Sequence, residues 1–453
     1  MMEGFELSKA VNANNVFLVN HSELEGRLDI DCYRPEINKL EHKVRAKTTK
    51  KLSDFIIKMA SGATPSVQEE VRFYGDIENG IPFLRVQNLN HNGKLSLNEV
   101  KFINHETHNN YLKRSQVSEH DLLVKITGVG RMAIASVAPI GFVGNTNQHM
   151  VVIKTKSEEQ SRYLANYLNL DIIEALASRR ATGATRPALD YPALKSIPII
   201  EHIDFSLLKQ AEQQKQQKEQ QAQTLLDGID SYLLNELGIT LPQQDNRLEK
   251  RMFTVPFNQI SGKRIDPYAQ QEYFGFFKTP KSIYKLQNIK KISSEIKTGL
   301  PVRKDFRTTS GLYPYYGANG IIGYMDEFTH DGKYLVVGQD GYIGNHYVVE
   351  GKFWGSNHNW VIKLKNDYSY EYLKAALDAF KYDYLITGAV IPKLTKESLE
   401  SIKIPLPPIE KQNEIAAHIS QIRAQAKQLQ ADASRMLADA KAEIERMILG
   451  ENG

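Results

Sequence analysis

The chain has a single cysteine, Cys32, among 453 residues. One thiol excludes an internal disulfide and any cysteine-rich zinc site, and it suits a reducing compartment. No run of about 18 apolar residues occurs, so the sequence offers no membrane-spanning helix. The opening residues, MMEGFELSKA, carry acids where a secretory leader carries bases, and no apolar run follows them. These features point to a cytoplasmic protein without a membrane partner. Chemical motifs are missing too. No GxxxxGK[ST] phosphate loop is present, which excludes a P-loop motor. The Asn/Asp-Pro-Pro-aromatic tetrapeptide of adenine methyltransferases is absent; Asp266-Pro267-Tyr268 lacks its second proline. Glu-x-Lys tripeptides at 99–101, 295–297 and 350–352 have no metal-binding aspartate beside them. Nothing resembles a zinc site or a nucleophilic triad. The expectation is a chain with no catalytic residue, no metal and no cofactor of its own.

What is present is ordinary in bulk: 41% hydrophobic and 24% charged residues, enough for folded cores. The net charge of +4 says little, but its distribution says more. Nine Lys/Arg fall in 278–307 against Glu295 and Asp305, and seven fall in 39–58 against Glu41 and Asp54. Local positive excess attracts phosphate. A solvated lysine-rich face accounts for either run equally well.

The strongest internal signal is a repeat. TGATRPALDYPALKSIPI (182–199) matches TGAVIPKLTKESLESIKI (387–404) without a gap, at an offset of 205 residues. Pro187 falls on Pro392, Leu194 on Leu399 and Ile197 on Ile402. Upstream the offset becomes 209, with His149 on His358 and Lys154 on Lys363. Two similar modules therefore share one chain, too long in period for a solenoid.

Each module leads into a long polar helix, expected over roughly 204–237 and 409–449. Apolar positions recur at steps of three and four: Leu208, Ala211, Ala222, Leu225, Ile229 and Tyr232 in the first helix. Ile415, Ile419, Ile422, Ala426, Leu429, Ala433, Met436 and Ala440 follow in the second. In the first, Lys215 and Lys218 interrupt the stripe, which ends near Glu236 or slips onto Leu233 and Leu237. Gly238 is its expected stop. Stripes this narrow suit mutual pairing as an antiparallel coiled coil. At 1.5 Å per residue each helix spans about 50 Å. Modules held by such helices would be related by a pseudo-two-fold, separated by about one turn of duplex DNA or more.

The modules read as mixed α/β. IPFLRV, LLVKIT, AIASV and MVVIK in the first, and KYLVVG, HYVVE and WVIKL in the second, have strand character. A helix is expected after each set, over 162–178 and 370–385. The expected divisions are an extension at 1–26, a first domain at 27–202, a central helix at 203–238, a second domain at 239–408 and a C-terminal helix at 409–453.

In this order the segments resemble a family. SGATPS (61–66), IPFLRVQNL (81–89), DLLVKITGVGR (121–131) and NQHMVVIK (147–154) mark the first module. YPYYGANGIIGY (313–324), the Gly-Gln-Asp-Gly turn at 338–341 and SNHNW (356–360) mark the second, which continues into IPLPPIEKQNEI. The chain is similar to specificity subunits of type I restriction-modification enzymes, with two target-recognition domains and two helices. The resemblance covers about 27–449. It implies that each domain reads one half of a bipartite DNA site and that the paired helices set the unread spacer. It also implies two methyltransferase subunits, which would bind S-adenosylmethionine and methylate adenine after flipping it out. Two motor-nuclease subunits would complete a restricting enzyme. Three alternatives stay open: an enzyme with degenerate motifs, a coiled-coil scaffold that binds protein only, and a DNA reader in another phage-defence complex.

Base edges and phosphates are contacted by Arg, Lys, Asn, Gln and hydroxyl side chains. The candidates in the first module are Arg85, Gln87, Asn88, Lys125, Arg131, Asn147, Gln148, Arg179, Arg180, Thr182 and Arg186. In the second they are Arg303, Arg307, Tyr315, Tyr316, Asn319, Gln339, Asn357, His358, Thr387 and Lys393. Gly183 and Gly388 either admit close backbone approach or form a turn needing positive φ. His149 and His358, paired across the repeat, suggest a shared structural role. Tyr315-Tyr316 suits either stacking on the nucleic acid or strand core.

Overall fold

The computed structural model describes residues 12, 16–21, 24, 30–183, 185–241, 247, 249, 252–260, 270, 276–277, 279–303, 308–341, 343–380, 382–388 and 391–451. Most of the expected extension at 1–26, together with Arg307 and the Asp266-Pro267-Tyr268 segment, lies outside the described residues. The chain forms two compact units, residues 1–215 with 434–453 and residues 216–433.

The first unit has a five-stranded sheet in the order Lys58–Ser61, Met150–Lys154, Leu122–Lys125, Ala135–Val137, Gly93–Lys94. Leu122–Lys125 is buried on both faces, as a central strand packed by side chains from two layers must be. A smaller four-stranded sheet is built from 81–84, 101–103, 116–117 and 144–146. The second unit has a six-stranded sheet in the order Ser293–Thr298, Asn359–Leu364, His330–Gly338, His346–Gly355, Tyr313–Gly317, Gly320–Met325. The first four places of the two main sheets correspond.

Local chemistry repeats as well. Ser157 caps the helix Glu158–Leu168 by accepting from Gln160 N, and Ser369 caps Tyr370–Ala379 by accepting from Tyr372 N. Asp190 and Thr395 cap the short helices that follow, at the offset of 205. Leu52 N donates to Ile197 O in one unit, and Ile289 N to Ile402 O in the other. One difference from the sequence expectation is the helix at 162–178. It is two helices, Glu158–Leu168 and Asp171–Arg180. The break falls at Asn169, whose buried amide donates to Ala135 O and accepts from Ala135 N. That side chain satisfies a strand's backbone, which an uninterrupted helix would not allow. In the second unit the helix stops at Ala379, short of 385.

The long helices are Ser206–Glu236 and Ile409–Leu449. Both end in the same way. Gly238 and Gly450 take positive φ (66° and 70°), while Ile239 N donates to Leu234 O and Glu451 N to Arg446 O. This six-to-one bond satisfies carbonyls that a helix end leaves free. In the second unit the helices run antiparallel: Glu236 meets Lys411 at 2.7 Å and the Tyr232 ring lies 4.4 Å from that of His418. The stripe does slip at its end. Leu233 and Leu237 are fully buried with Ile415 and Ile419 in that unit's core, whereas Tyr232 is half-buried. In the first unit Leu208, Ile444 and Ile448 join the core beneath the sheet. The helix ends thus pack on sheet domains as well as on each other.

Candidate nucleic-acid interface

Three chain segments meet at the same place in each unit. In the first, Ile126 N donates to His149 O, and Leu189 N donates to Ile126 O. Gly128 N donates to Pro187 O, and Thr182 and Ala188 exchange both of their backbone bonds. In the second, Gln339 N donates to His358 O, and Leu394 N donates to Gln339 O. Gly341 N donates to Pro392 O, and Thr387 and Lys393 exchange both bonds. The backbone network is the same in the two units, hydrogen bond for hydrogen bond. It adds a third register to those seen in the sequence: Ile126 corresponds to Gln339 and Gly128 to Gly341, an offset of 213.

Gly183 and Gly388 close the turns of this network with φ of +98° and +95°. A Cβ on Gly183 would stand 3.1 Å from Arg186 O, and one on Gly388 only 2.2 Å from Ile391 O. The glycines are therefore required by the turns themselves. The histidines sit at the centre of both networks. His149 N donates to Asn147 Oδ1 and His358 N to Ser356 Oγ, so the residue two before each histidine holds its turn.

The side chains on this shared frame differ in charge. In the first unit Arg186 approaches His149 Nε2 at 2.9 Å. A guanidinium can only donate, so Nε2 accepts and the imidazole is neutral. Burial, then the Arg186 charge, holds the His149 pKa below its ordinary value, which agrees. His149 Nδ1 is buried without a hydrogen-bond partner. In the second unit His358 Nδ1 donates to Asp340 Oδ1 at 2.6 Å, with the imidazole 53% exposed. Asp340 occupies the place of Thr127, and Ile391 that of Arg186. Asp340 was not among the sequence candidates although it lies in the quoted Gly-Gln-Asp-Gly turn. Aligning Gly128 with Gly341 is the signal that finds it.

The network gathers Lys125, Asn147, Gln148, Thr182 and Arg186 in one unit, and Gln339, Asn357, His358, Thr387 and Lys393 in the other. Gln148, Thr182, Arg186, His358 and Lys393 are exposed. Gln148 Oε1 accepts from Thr64 Oγ1 at 2.5 Å. Lys125, Asn147 and Gln339 are buried. Lys125 Nζ donates to Val129 O at 2.8 Å, its pKa lowered by burial. Gln339 Nε2 donates to Asn357 O at 2.5 Å.

The remaining candidates lie elsewhere in the two units. Asn88 is fully buried and ties Arg85 N to the carbonyls of Ser96 and Asn98, while Gln87 beside it is exposed. Arg131 donates to Asn169 O and pairs with Asp171. Arg179 and Arg180 bind Glu41, with Arg45 at 2.7 Å on the same carboxylate and Arg179 at 2.6 Å. Burial pushes the Glu41 pKa up, but the surrounding guanidinium groups prevail and bring it down to about 2. The two arginines therefore serve the core of the first unit. Tyr315 is buried in its strand, and Tyr316 packs edge-on against Phe353, the core alternative of the sequence reading. Asn319 is exposed and accepts from Asn345 Nδ2, and Arg303 is exposed. Among the described residues, no group of His, Cys, Asp and Glu is arranged to hold a metal ion, and no helix is long and apolar enough to cross a membrane.

Comparison with known proteins agrees with the duplicated frame. A family model described as "Type I restriction modification DNA specificity domain" matches residues 45–201 and 282–433, once in each sheet-bearing region. A Haemophilus influenzae protein described as a type I restriction enzyme specificity subunit is 34% identical over 128 residues, 27% of this chain and 33% of that protein. The EcoprrI type I specificity subunit of Escherichia coli is 32% identical over 109 residues, 24% of this chain and 27% of that one. The matched segments thus span about a third or less of these relatives' length. A crystal structure of a type I system S subunit from M. genitalium aligns with 89% of this chain and 95% of its own, at 13% identity and a TM-score of 0.41. The family match, which takes in well over half of the sequence and falls on both copies of the frame, means that this chain belongs to the type I restriction-modification DNA specificity family.

Proposed function

We propose that the chain is the non-catalytic, sequence-reading subunit of a type I restriction-modification enzyme, one recognition domain taking each half of a bipartite duplex target. One observation carries this reading. The same hydrogen-bonded frame is built twice in the chain, and its exposed side chains differ between the copies. A reader of two different half-sites needs a constant frame with variable polar edges, since base edges differ only in donors, acceptors and the thymine methyl.

On this reading the domains are 27–202 and 239–408, and the helices of 203–238 and 409–453 set the spacer. Gln87, Gln148, Thr182 and Arg186 contact one half-site. The half-exposed Arg85 and Arg131 help there, and Arg303, Asn319, His358 and Lys393 contact the other, helped by the half-exposed Tyr316, Asn357 and Thr387. Asn88, Lys125, Asn147, Arg179, Arg180, Tyr315 and Gln339 support them from within. Arg307 belongs to the same basic stretch as Arg303. Two methyltransferase subunits carry S-adenosylmethionine and the chemistry, and two motor-nuclease subunits complete restriction.

The test is a methylation map. The chain is co-expressed with its methyltransferase subunit in a methylation-free host, and the DNA is sequenced for N6-methyladenine. The expected result is a split motif with a fixed gap, methylated on both strands. A continuous motif, or no new methylation from a well-formed complex, overturns the reading.

A further inference from the structure

Amid the polar edges of the two frames, each unit exposes a branched aliphatic side chain among its described residues. In the first it is Val129, 79% exposed, at the tip of the turn that follows Lys125. In the second it is Ile391, 65% exposed, in the turn from Thr387 to Lys393. A single exposed aliphatic is ordinary on a protein surface. These two are set apart by where they stand and how they are held.

Val129 lies between Gly128 and Gly130, with φ of +119° and +80°. No atom lies within 4 Å of the place a Cβ on Gly130 would take. The tip is nevertheless pinned. The buried Lys125 ammonium holds the Val129 carbonyl at 2.8 Å, and Gly128 N is bonded to Pro187 O. Arg131, just beyond, is tied to Asp171 and Asn169. Ile391 is anchored through its neighbours, Pro392 O accepting from Gly341 N and Lys393 pairing with Thr387. A β-branched side chain has few rotamers, so each is a stiff apolar knob. The two turns belong to the backbone frames that also carry Gln148, Thr182 and Arg186 in the first unit and Asn357, His358 and Lys393 in the second.

Among the base edges in the major groove, the C5 methyl of thymine is the one apolar group. An apolar knob on a frame that also carries hydrogen-bonding side chains matches an A·T pair there and is poorly matched to G·C. Resting on the bipartite reading above, we propose that Val129 and Ile391 are thymine readers, one for each half-site. They occupy non-equivalent places in the repeat, since Ile391 stands where Arg186 stands in the other unit. The thymine each reads therefore falls at a different position within its half-site.

The experiment uses the chain in complex with its methyltransferase subunit and the mapped target duplex. Each thymine in turn is replaced by deoxyuridine, which removes only the methyl. Loss of one buried methyl corresponds to about a fourfold loss of affinity. The wild-type complex is expected to show that loss at one position in each half-site. With Val129→Ser the uracil penalty disappears in one half-site and stays in the other; with Ile391→Ser the pattern reverses. Methylation maps of the two variants relax at the same positions. Uracil penalties unchanged in both variants, or absent from the wild type, overturn the proposal. So does a variant that weakens assembly with the methyltransferase and leaves the motif intact, which would make the knob a protein contact. Failure of the underlying reading is recognised separately, because the wild-type complex would then yield no split motif.

Discussion

In the first unit the central histidine of the frame faces an arginine, and in the second an aspartate. The backbone around the two histidines is bonded in the same way. The difference teaches which positions are free to change. The side chains of Thr127, Asp340, Arg186 and Ile391 make none of the backbone bonds common to both units, so they vary without loosening those bonds. The glycines, the Pro187/Pro392 carbonyls and the histidines take part in the frame and recur. The units also differ beneath the frame. The first is tied by a buried carboxylate among three arginines. In the second, the part-buried carboxylate of Asp378 meets His346, Lys374 and Arg423 instead.

That contrast can be broken most severely at Glu41. Glu41→Gln removes the carboxylate that binds the buried Arg179 and Arg180, which costs about 3–5 kcal/mol. Amide exchange should accelerate in the Leu122–Lys125 strand of the first unit while the Tyr334–Val337 strand of the second stays protected. Acid should act on the same contrast. The Glu41 pKa is about 2 in the fold against an ordinary 4.5. A depressed carboxylate stabilises the fold above its unfolded pKa, and that stability fades as pH falls from about 4.5 toward 2. The shift corresponds to about 3 kcal/mol. The first unit of the wild type should lose this contribution across that window, and Glu41→Gln should have none to lose.

Within the frame, Gly388→Ala should cost more than Gly183→Ala. Both impose a positive φ on alanine, worth about 1–2 kcal/mol. The 2.2 Å approach at Gly388 adds a backbone clash that the 3.1 Å approach at Gly183 largely avoids. Thermal unfolding of the two variants tests the order. The smallest effect is electrostatic. Arg186→Gln removes a cation beside His149, so the His149 pKa should rise toward its ordinary value in an NMR titration.

Much of this architecture is legible in the sequence because it is periodic or repeated. The offset of 205 residues located the Thr-Gly turns, and the steps of three and four located the long helices. What escaped has physical reasons. The helix break at Asn169 depends on a buried amide bonding to a strand 34 residues away, which no local pattern carries. The burial of Lys125, Asn147 and Gln339 depends on three segments meeting, so residue type alone suggested surface readers. Arg179 and Arg180 read as a basic pair until Glu41, far away in sequence, is brought beside them. The third register, which exposes the Thr127/Asp340 exchange, was hidden because it is short and rests on a few common residue types, Leu122/Leu335, Val124/Val337 and Gly128/Gly341.

The route of the chain has a consequence for how the protein is made. The first unit takes its core from both ends of the sequence, with Ile444 and Ile448 packed against residues that emerge from the ribosome much earlier. On the last helix, Glu445 accepts from Asp171 N and Ile172 N, and Lys441 Nζ donates to the carbonyls of His91 and Asn169. All of residues 216–433 must be translated before these groups exist. At roughly 5–20 residues per second, that leaves the earlier domain unfinished for roughly 10–40 s. The half that is synthesised first is thus the half that is completed last, and its open seam is the surface that chaperones would meet on the nascent chain.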